Sequence, residues 1–181
     1  MKVILTREPG GTYVGDKIRS LLLDPECGKL EPETEIFLML AQRIEHFRKV
    51  ILPAKNSGAV VLCDRYFDSS LAYQGFGRGY DPKVIRQLHE KSLGEFLPDI
   101  TLLFDIDPIE GLSRARKGGR QNFDRMETES ENFHYRVRAG YLEIAHDDPK
   151  RYVIINPDNS PQETYAQLEE KLRKKCDWIF S

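Results

Sequence analysis

The chain has 181 residues, with 27 Lys and Arg against 29 Asp and Glu, a formal net charge of −2 and 40% hydrophobic residues. That length suits a single domain with a sizeable core, and the near-neutral balance gives no global field toward nucleic acid or a membrane surface, so any anion site must be local. No apolar run approaches eighteen residues and no leader pattern is present, so a cytoplasmic protein with no membrane and no nucleic-acid partner is expected.

The first apolar run, Val3–Leu5, reads as a buried strand and leads into Thr6–Thr12 (TREPGGT). Gly10 and Gly15 have the spacing of the first half of a phosphate loop, G-x-x-x-x-G-K-[ST]. The match then fails: Asp16 separates Gly15 from Lys17, and Ile18 follows where a metal-binding Ser or Thr belongs. The segment reads instead as a substrate-side turn entering a helix over Val14–Leu23. Glu31-Pro32-Glu33 opens a long helix that runs to about Leu52, just before Pro53. Ile36, Leu40, Phe47 and Val50 share one face of it, and Arg43 falls in the middle of that face. A guanidinium there needs an anionic or strongly accepting partner, either a ligand or a core carboxylate.

Ala59–Cys63 is a second strand and ends in Asp64-Arg65-Tyr66. An Asp at a buried strand end can organise Mg2+ through water, and the adjacent Arg can hold a phosphate; an ion pair tying strand to loop is the structural alternative. Phe67–Gly79 (FDSSLAYQGFGRG) offers hydroxyl, amide, aromatic and glycine residues, suited to a polar pocket or to a surface loop. Asp81-Pro82 starts a helix that stops near Gly94, Ile100–Asp105 is a third strand, and Asp107-Pro108 starts a helix that stops near Gly118-Gly119. The basic cluster Arg114, Arg116, Lys117 and Arg120 follows, then Asp124-Arg125-Met126-Glu127. It is either a solvated helix end or a lid that brings Arg to a transferring phosphoryl group. Tyr152–Asn156 is a fourth strand, and Ser160-Pro161-Gln162-Glu163 carries an N-cap, an N1 proline and a capping-box Glu. Cys27, Cys63 and Cys176 are far apart, without metal-ligand spacing, and read as structural thiols. Strands alternating with helices give an α/β fold with a parallel sheet, its strands buried on both faces and its ligands held beyond their carboxyl ends.

Taken together, the chain resembles bacterial thymidylate kinases. The resemblance rests on TREPGGT at Thr6–Thr12, RSLLLD at Arg19–Asp24, AQR at Ala41–Arg43, DRY with SSLAYQG at Asp64–Gly75, PD at Pro98–Asp99 and RAR…DRMETES at Arg114–Ser130, in the family's order over nearly the whole chain. It implies a P-loop-kinase-like parallel sheet flanked by helices, in one domain over residues 1–181 with a lid at about 114–127. It also implies ATP-dependent phosphorylation of dTMP to dTDP with Mg2+, and a homodimer packed through the long helix. Glu8 and Pro9 would line the nucleoside pocket, Arg43 would reach the thymine base, and Ser70, Tyr73 and Gln74 would contact base and sugar. Arg65 would bind the dTMP phosphate, Asp64 would place the metal, and Arg116 and Arg120 would act on the phosphates in catalysis. Arg114, with Arg116, would support the ATP side.

The chain departs from the family pattern at two places. Met39 stands where the family usually stacks a Phe on the base, which keeps a kinase for another nucleoside monophosphate open as an alternative. No G-x-x-x-x-G-K-[ST] occurs in the sequence, whereas the family carries a strand and phosphate loop ahead of the strand that leads to REPGG. The family's first strand and phosphate loop are therefore expected to be absent from this chain. A non-catalytic dTMP-binding module is the alternative to an active enzyme.

Overall fold

The computed structural model describes residues 1–118, 124–157 and 160–176. Strand β1 (Val3–Arg7) pairs in parallel with β2 (Val60–Asp64), in register from Val3 opposite Val60 to Arg7 opposite Asp64. Strand β3 (Thr101–Phe104) pairs in parallel with β4 (Tyr152–Ile155). Among the described residues these are two separate two-stranded sheets. The α/β class and the parallel pairing agree with the sequence reading.

The expectation of strands buried on both faces is corrected. Leu5 is 78% exposed, Leu62 51%, Phe104 47% and Ile154 42%, while alternate positions such as Val153 and Ile155 are buried. The described helices cover one face of the strands, so the period-two alternation of β structure decides which side chains meet solvent.

Helix α1 (Tyr13–Leu23) follows the first turn, and α2 (Pro32–His46) continues without a break into a π-helical turn at Phe47–Ile51 and α3 (Leu52–Asn56). Helical structure therefore passes Pro53, contrary to the predicted stop. The widened turn donates from Leu52 N to Phe47 O and places Pro53 in the first turn of the next segment, where its missing N–H costs nothing.

Phe67–Gly79 is helical and largely buried over most of its length, which rules out a surface loop: α4 (Phe67–Ser70) runs into a π-helical segment at Leu71–Gly77. Helices α5 (Pro82–Leu93), α6 (Pro108–Lys117) and α8 (Pro161–Lys175) start at the predicted prolines, and α8 carries the predicted capping box. Helix α7 (Glu131–Asp147) has no counterpart in the sequence reading; its buried Phe133, Val137 and Ile144 fall on one helical face.

The Leu71–Gly77 segment and α7 pack closely because glycine stands on both sides of the contact. A Cβ at Gly77 would lie 2.7 Å from the Phe133 ring, and one at Gly140 would lie 2.5 Å from the ring of Phe76. Gly140→Ala is expected to destabilise the chain by about 1–3 kcal/mol through overpacking, and thermal denaturation should show the melting temperature fall by several degrees.

Candidate active site

The carboxyl end of β1 turns back on α2 through a buried polar clasp. Glu8 is 1% exposed and accepts from Arg43 Nε at 2.7 Å and from His46 Nδ1 at 2.9 Å. The far ring nitrogen of His46 lies 2.6 Å from Thr6 Oγ1. An ionised Glu8 can only accept, so His46 donates to it from Nδ1. Gln42 Oε1 accepts from Gly10 N, and Arg43 Nη2 donates to the Tyr66 carbonyl. Gln42, Arg43 and His46 thus hold the Glu8-Pro9-Gly10-Gly11 turn, in which the Glu8–Pro9 peptide is cis. Gly11 is required here: its φ is +78°, and a Cβ would lie 2.7 Å from both His46 and Thr6.

The amides of the following segment are engaged within the protein. Gly10 N meets Gln42, Gly15 N meets the Thr12 hydroxyl and Asp16 N meets the Thr12 carbonyl. This fits a substrate-side turn that caps α1.

Asp64 and Arg65 stand at the carboxyl end of β2, where Glu8 N donates to the Asp64 carbonyl at 2.9 Å. Arg65 is the described non-glycine residue with a positive φ, +65°. A backbone held in that region at the mouth of a sheet is characteristic of functional positions. Its guanidinium lies 5.1 Å from the centre of the Tyr73 ring. Arg19 donates to the Pro9 carbonyl at 2.9 Å. Burial lowers the pKa of Arg19, and the neighbouring charges of Arg7 and Arg65 push the same way, against Asp124 and Asp64. Arg7, Arg19 and Arg65 lie near this end of the sheet together with Asp64 and Asp124, and Arg7 is paired with Asp16 at 3.6 Å. The sequence reading named Arg65 there and missed Arg7 and Arg19, although both stand in the quoted motifs.

The neighbouring Cys63 thiol is pushed up to about 12 by burial and by the charge of Glu8, and it donates to the Arg65 carbonyl. It is inert, as read from sequence.

Helix α2 and the Phe67–Gly77 helical stretch face each other. Met39 and Arg43 are buried on α2, and Ser70 and Gln74 are buried opposite. Gln74 Nε2 donates to Glu35 Oε1 at 2.7 Å. Glu35 also accepts from Arg125 Nη2 at 2.7 Å and from Arg78 Nη2 at 3.3 Å. Burial works to raise the Glu35 pKa, but the hydrogen bonds from Gln74 and Arg125 and the charge of Arg78 bring it below the ordinary carboxylate range. Glu35, Arg78 and Arg125 were not singled out in the sequence. The signal that could have found Glu35 is its place two turns before Arg43 on α2, with Met39 between them.

The described residues of the predicted lid fall in two places. Arg114 and Arg116 sit in the last turn of α6, where Arg114 donates to Glu110 at 2.9 Å and to the Pro157 carbonyl at 2.7 Å. Arg120 lies outside the described residues. Arg125 is buried against α2, also donating to the Leu22 carbonyl. An open hollow of about 570 Å3 beside Arg114 is bounded by Phe104, Pro157, Pro161, Tyr165 and Leu168, large enough for a nucleotide.

Among the described residues there is no cluster of His, Cys, Asp and Glu able to cage a metal ion. Asp64, an exposed carboxylate at a strand end, fits Mg2+ that is held mainly by phosphates and water.

The family model described as thymidylate kinase matches residues 1–168. A thymidylate kinase of Desulfosudis oleivorans is 48% identical over 179 residues, covering 96% of this chain and 84% of that protein. One of Nitratidesulfovibrio vulgaris is 44% identical over 176 residues, covering 94% and 82%. A crystal structure of thymidylate kinase from Ehrlichia chaffeensis superposes with a TM-score of 0.74 at 34% identity, covering 95% of this chain and 80% of that one.

Proposed function

The chain belongs to the thymidylate kinase family, and on that premise we propose that it transfers the γ-phosphoryl group of ATP to dTMP, giving dTDP and ADP. The observation that carries this reading is Arg65, held at positive φ at the carboxyl end of β2 beside Asp64, next to the Glu8–Gly11 turn that is locked to α2.

In this reading Arg65 holds the acceptor phosphate, with Arg7 and Arg19 adding charge. Tyr73, stacked against Arg65, borders the sugar. Met39, Arg43, Ser70 and Gln74 face the base, and Glu8 and Pro9 shape that side of the pocket. The donor lies toward Arg114 and Arg116, and Arg120 belongs to the same basic segment. Asp64 would hold Mg2+ through water, and the ion would supply charge neutralisation on the phosphates. An oxygen of the dTMP phosphate attacks the γ-phosphorus in line, the new O–P bond forms as the bond to the β-bridging oxygen breaks, and the electron pair leaves with ADP. Arg116 and Arg120 balance charge in that transition state, so the work is positioning and electrostatics.

A homodimer through α2 accords with Phe37, 55% exposed on that helix. None of the described helices is long and apolar enough to cross a membrane, and we place the protein in the cytoplasm.

The second reading, a dTMP-binding module without transfer, is favoured by the separation of the strands into two unjoined pairs. Calorimetric titration with dTMP, paired with a dTDP-formation assay using Mg·ATP, tests both. Binding with transfer supports the kinase, and binding without transfer supports the module. A chain that prefers dCMP or UMP overturns the assignment of dTMP. In a transferring chain, Arg116→Ala is expected to slow turnover by roughly 10- to 1,000-fold while leaving dTMP affinity nearly unchanged.

A further inference from the structure

Arg65 stands on a strained backbone at φ +65°, and its guanidinium lies over the Tyr73 ring. An arginine side chain gives up much rotamer freedom when it takes hold of a ligand, so a platform that fixes it beforehand strengthens binding. The platform here is Tyr73, whose ring turns about two bonds of its own. What fixes that ring comes from another helix. Phe133 and Tyr141, both on α7, meet it edge to face at centroid distances of 6.0 and 6.3 Å, with interplanar angles of 63° and 82°.

Tyr141 is itself tied down. Its hydroxyl shares a hydrogen bond of 2.6 Å with the hydroxyl of Ser69, which is buried and 72 positions away in sequence. Ser69 and Tyr73 are four residues apart on one helical stretch, and Tyr141 touches both. The residue before it, Gly140, is where Phe76 packs hard against α7, so the depth of this insertion is set by the backbone. Burial pushes the Tyr141 hydroxyl up to about 12 against the charge of Arg65. It therefore stays a neutral group near that guanidinium and does not compete with an anionic ligand for it. Phe133 is a core residue at 2% exposure, whereas Tyr141 is half-buried, with its polar end engaged by Ser69.

We propose that Tyr141 is a positioning residue for the acceptor phosphate: its ring edge, anchored through Ser69, holds the Tyr73 platform on which the Arg65 guanidinium rests. Helix α7 thereby contributes to acceptor binding without touching the acceptor. The inference rests on the dTMP reading and adds to it a residue 76 positions from Arg65 in sequence.

The test is a double-mutant cycle read by calorimetric titration of dTMP into the full chain. Tyr141→Leu removes the ring edge and is expected to weaken dTMP binding roughly 3- to 10-fold, the worth of an aromatic pair. In an Arg65→Ala background the same substitution is expected to cost less than about twofold, because the group it positions is gone. Tyr141→Phe keeps the edge and is expected to bind dTMP within about twofold of the unaltered chain. A merely structural role would weaken binding equally in both backgrounds, and that result overturns the proposal. So does a folded Tyr141→Leu that binds dTMP unweakened, or a Tyr141→Phe as weak as the leucine variant. Should Tyr141→Leu fail to fold, Tyr141→Met, which fills more of the space without a ring, enters the same cycle with the same expected and overturning results. A chain that binds no dTMP, or whose Arg65→Ala variant binds it unweakened, overturns the acceptor reading itself. That failure shows before any Tyr141 variant is made.

Discussion

Replacing Glu8 by alanine is expected to destabilise the chain by about 3–5 kcal/mol, the range for breaking a buried ion pair from one side. The reason is what stays behind. Arg43 is 2% exposed and has the Glu8 carboxylate as its anionic partner at 2.7 Å, so the variant leaves a guanidinium in the interior with the Tyr66 carbonyl alone. His46, fully buried, loses the same acceptor. A loss of that size is a large share of the stability of an ordinary domain. Urea denaturation should show the midpoint fall sharply with little change in slope. Glu8→Ala combined with Arg43→Met should recover part of the loss, because the uncompensated charge goes with its partner. A Glu8→Ala variant within about 1 kcal/mol of the unaltered chain would mean that the clasp is wet and that Arg43 is neutralised by something else.

Arg65→Ala is expected to have the largest effect on the acceptor. Truncating a guanidinium that holds a phosphate removes charge-assisted hydrogen bonds and costs about 2–4 kcal/mol of affinity, or roughly 30- to 700-fold in Kd for dTMP. The backbone should tolerate the change, since alanine at φ +65° is no more strained than arginine there, and the strands are held by the ladder from Val3 opposite Val60 to Arg7 opposite Asp64. Calorimetry should therefore show weakened dTMP binding with an almost unaltered melting temperature. Thymidine, which lacks the phosphate, should bind both proteins alike. If thymidine weakens as much as dTMP, Arg65 acts through the stacked Tyr73 and not on the phosphate.

The parts of this site that were legible in the sequence are those whose meaning is local. Prolines at helix starts placed α2, α5, α6 and α8, since a proline at the first turn loses no hydrogen bond. Apolar runs placed the strands, and their polar ends placed Glu8, Asp64 and Arg65 on one edge. Arg43 stood out because a charge interrupts an apolar face.

The remainder was hidden because its partners are distant in sequence. Glu35 reads as a solvated helix residue until Gln74, 39 positions away, and Arg125, 90 positions away, close on it. His46 and Gln42 likewise acquire roles only when the Thr6–Gly10 turn folds back across them. The stretch Phe67–Gly77 looked like a loop because serines and glycines weaken helix propensity. It is helical because Gly77 admits Phe133 and Gly140 of α7 admits Phe76 into close contact, a tertiary gain that outweighs the local preference. Helix α7 escaped notice for a related reason: Gly140 and several charges dilute an apolar stripe that becomes clear only once its buried face is seen.

The parallel pairing of both sheets also shapes how this chain acquires its structure. Val3 cannot meet Val60 until α1, α2 and α3 lie between them, and Thr101 cannot meet Tyr152 until α6 and α7 do. Among the described strands no ladder hydrogen bond is available to a nascent hairpin, so the entropy of closing long loops must be overcome before these strand contacts form. Helices can assemble early and cheaply, while the strand ends that carry Glu8, Asp64 and Arg65 arrive last. The acceptor site is thus the kinetically latest part of the protein, and recovery of dTMP binding should trail recovery of helical circular dichroism when the denatured chain is returned to buffer.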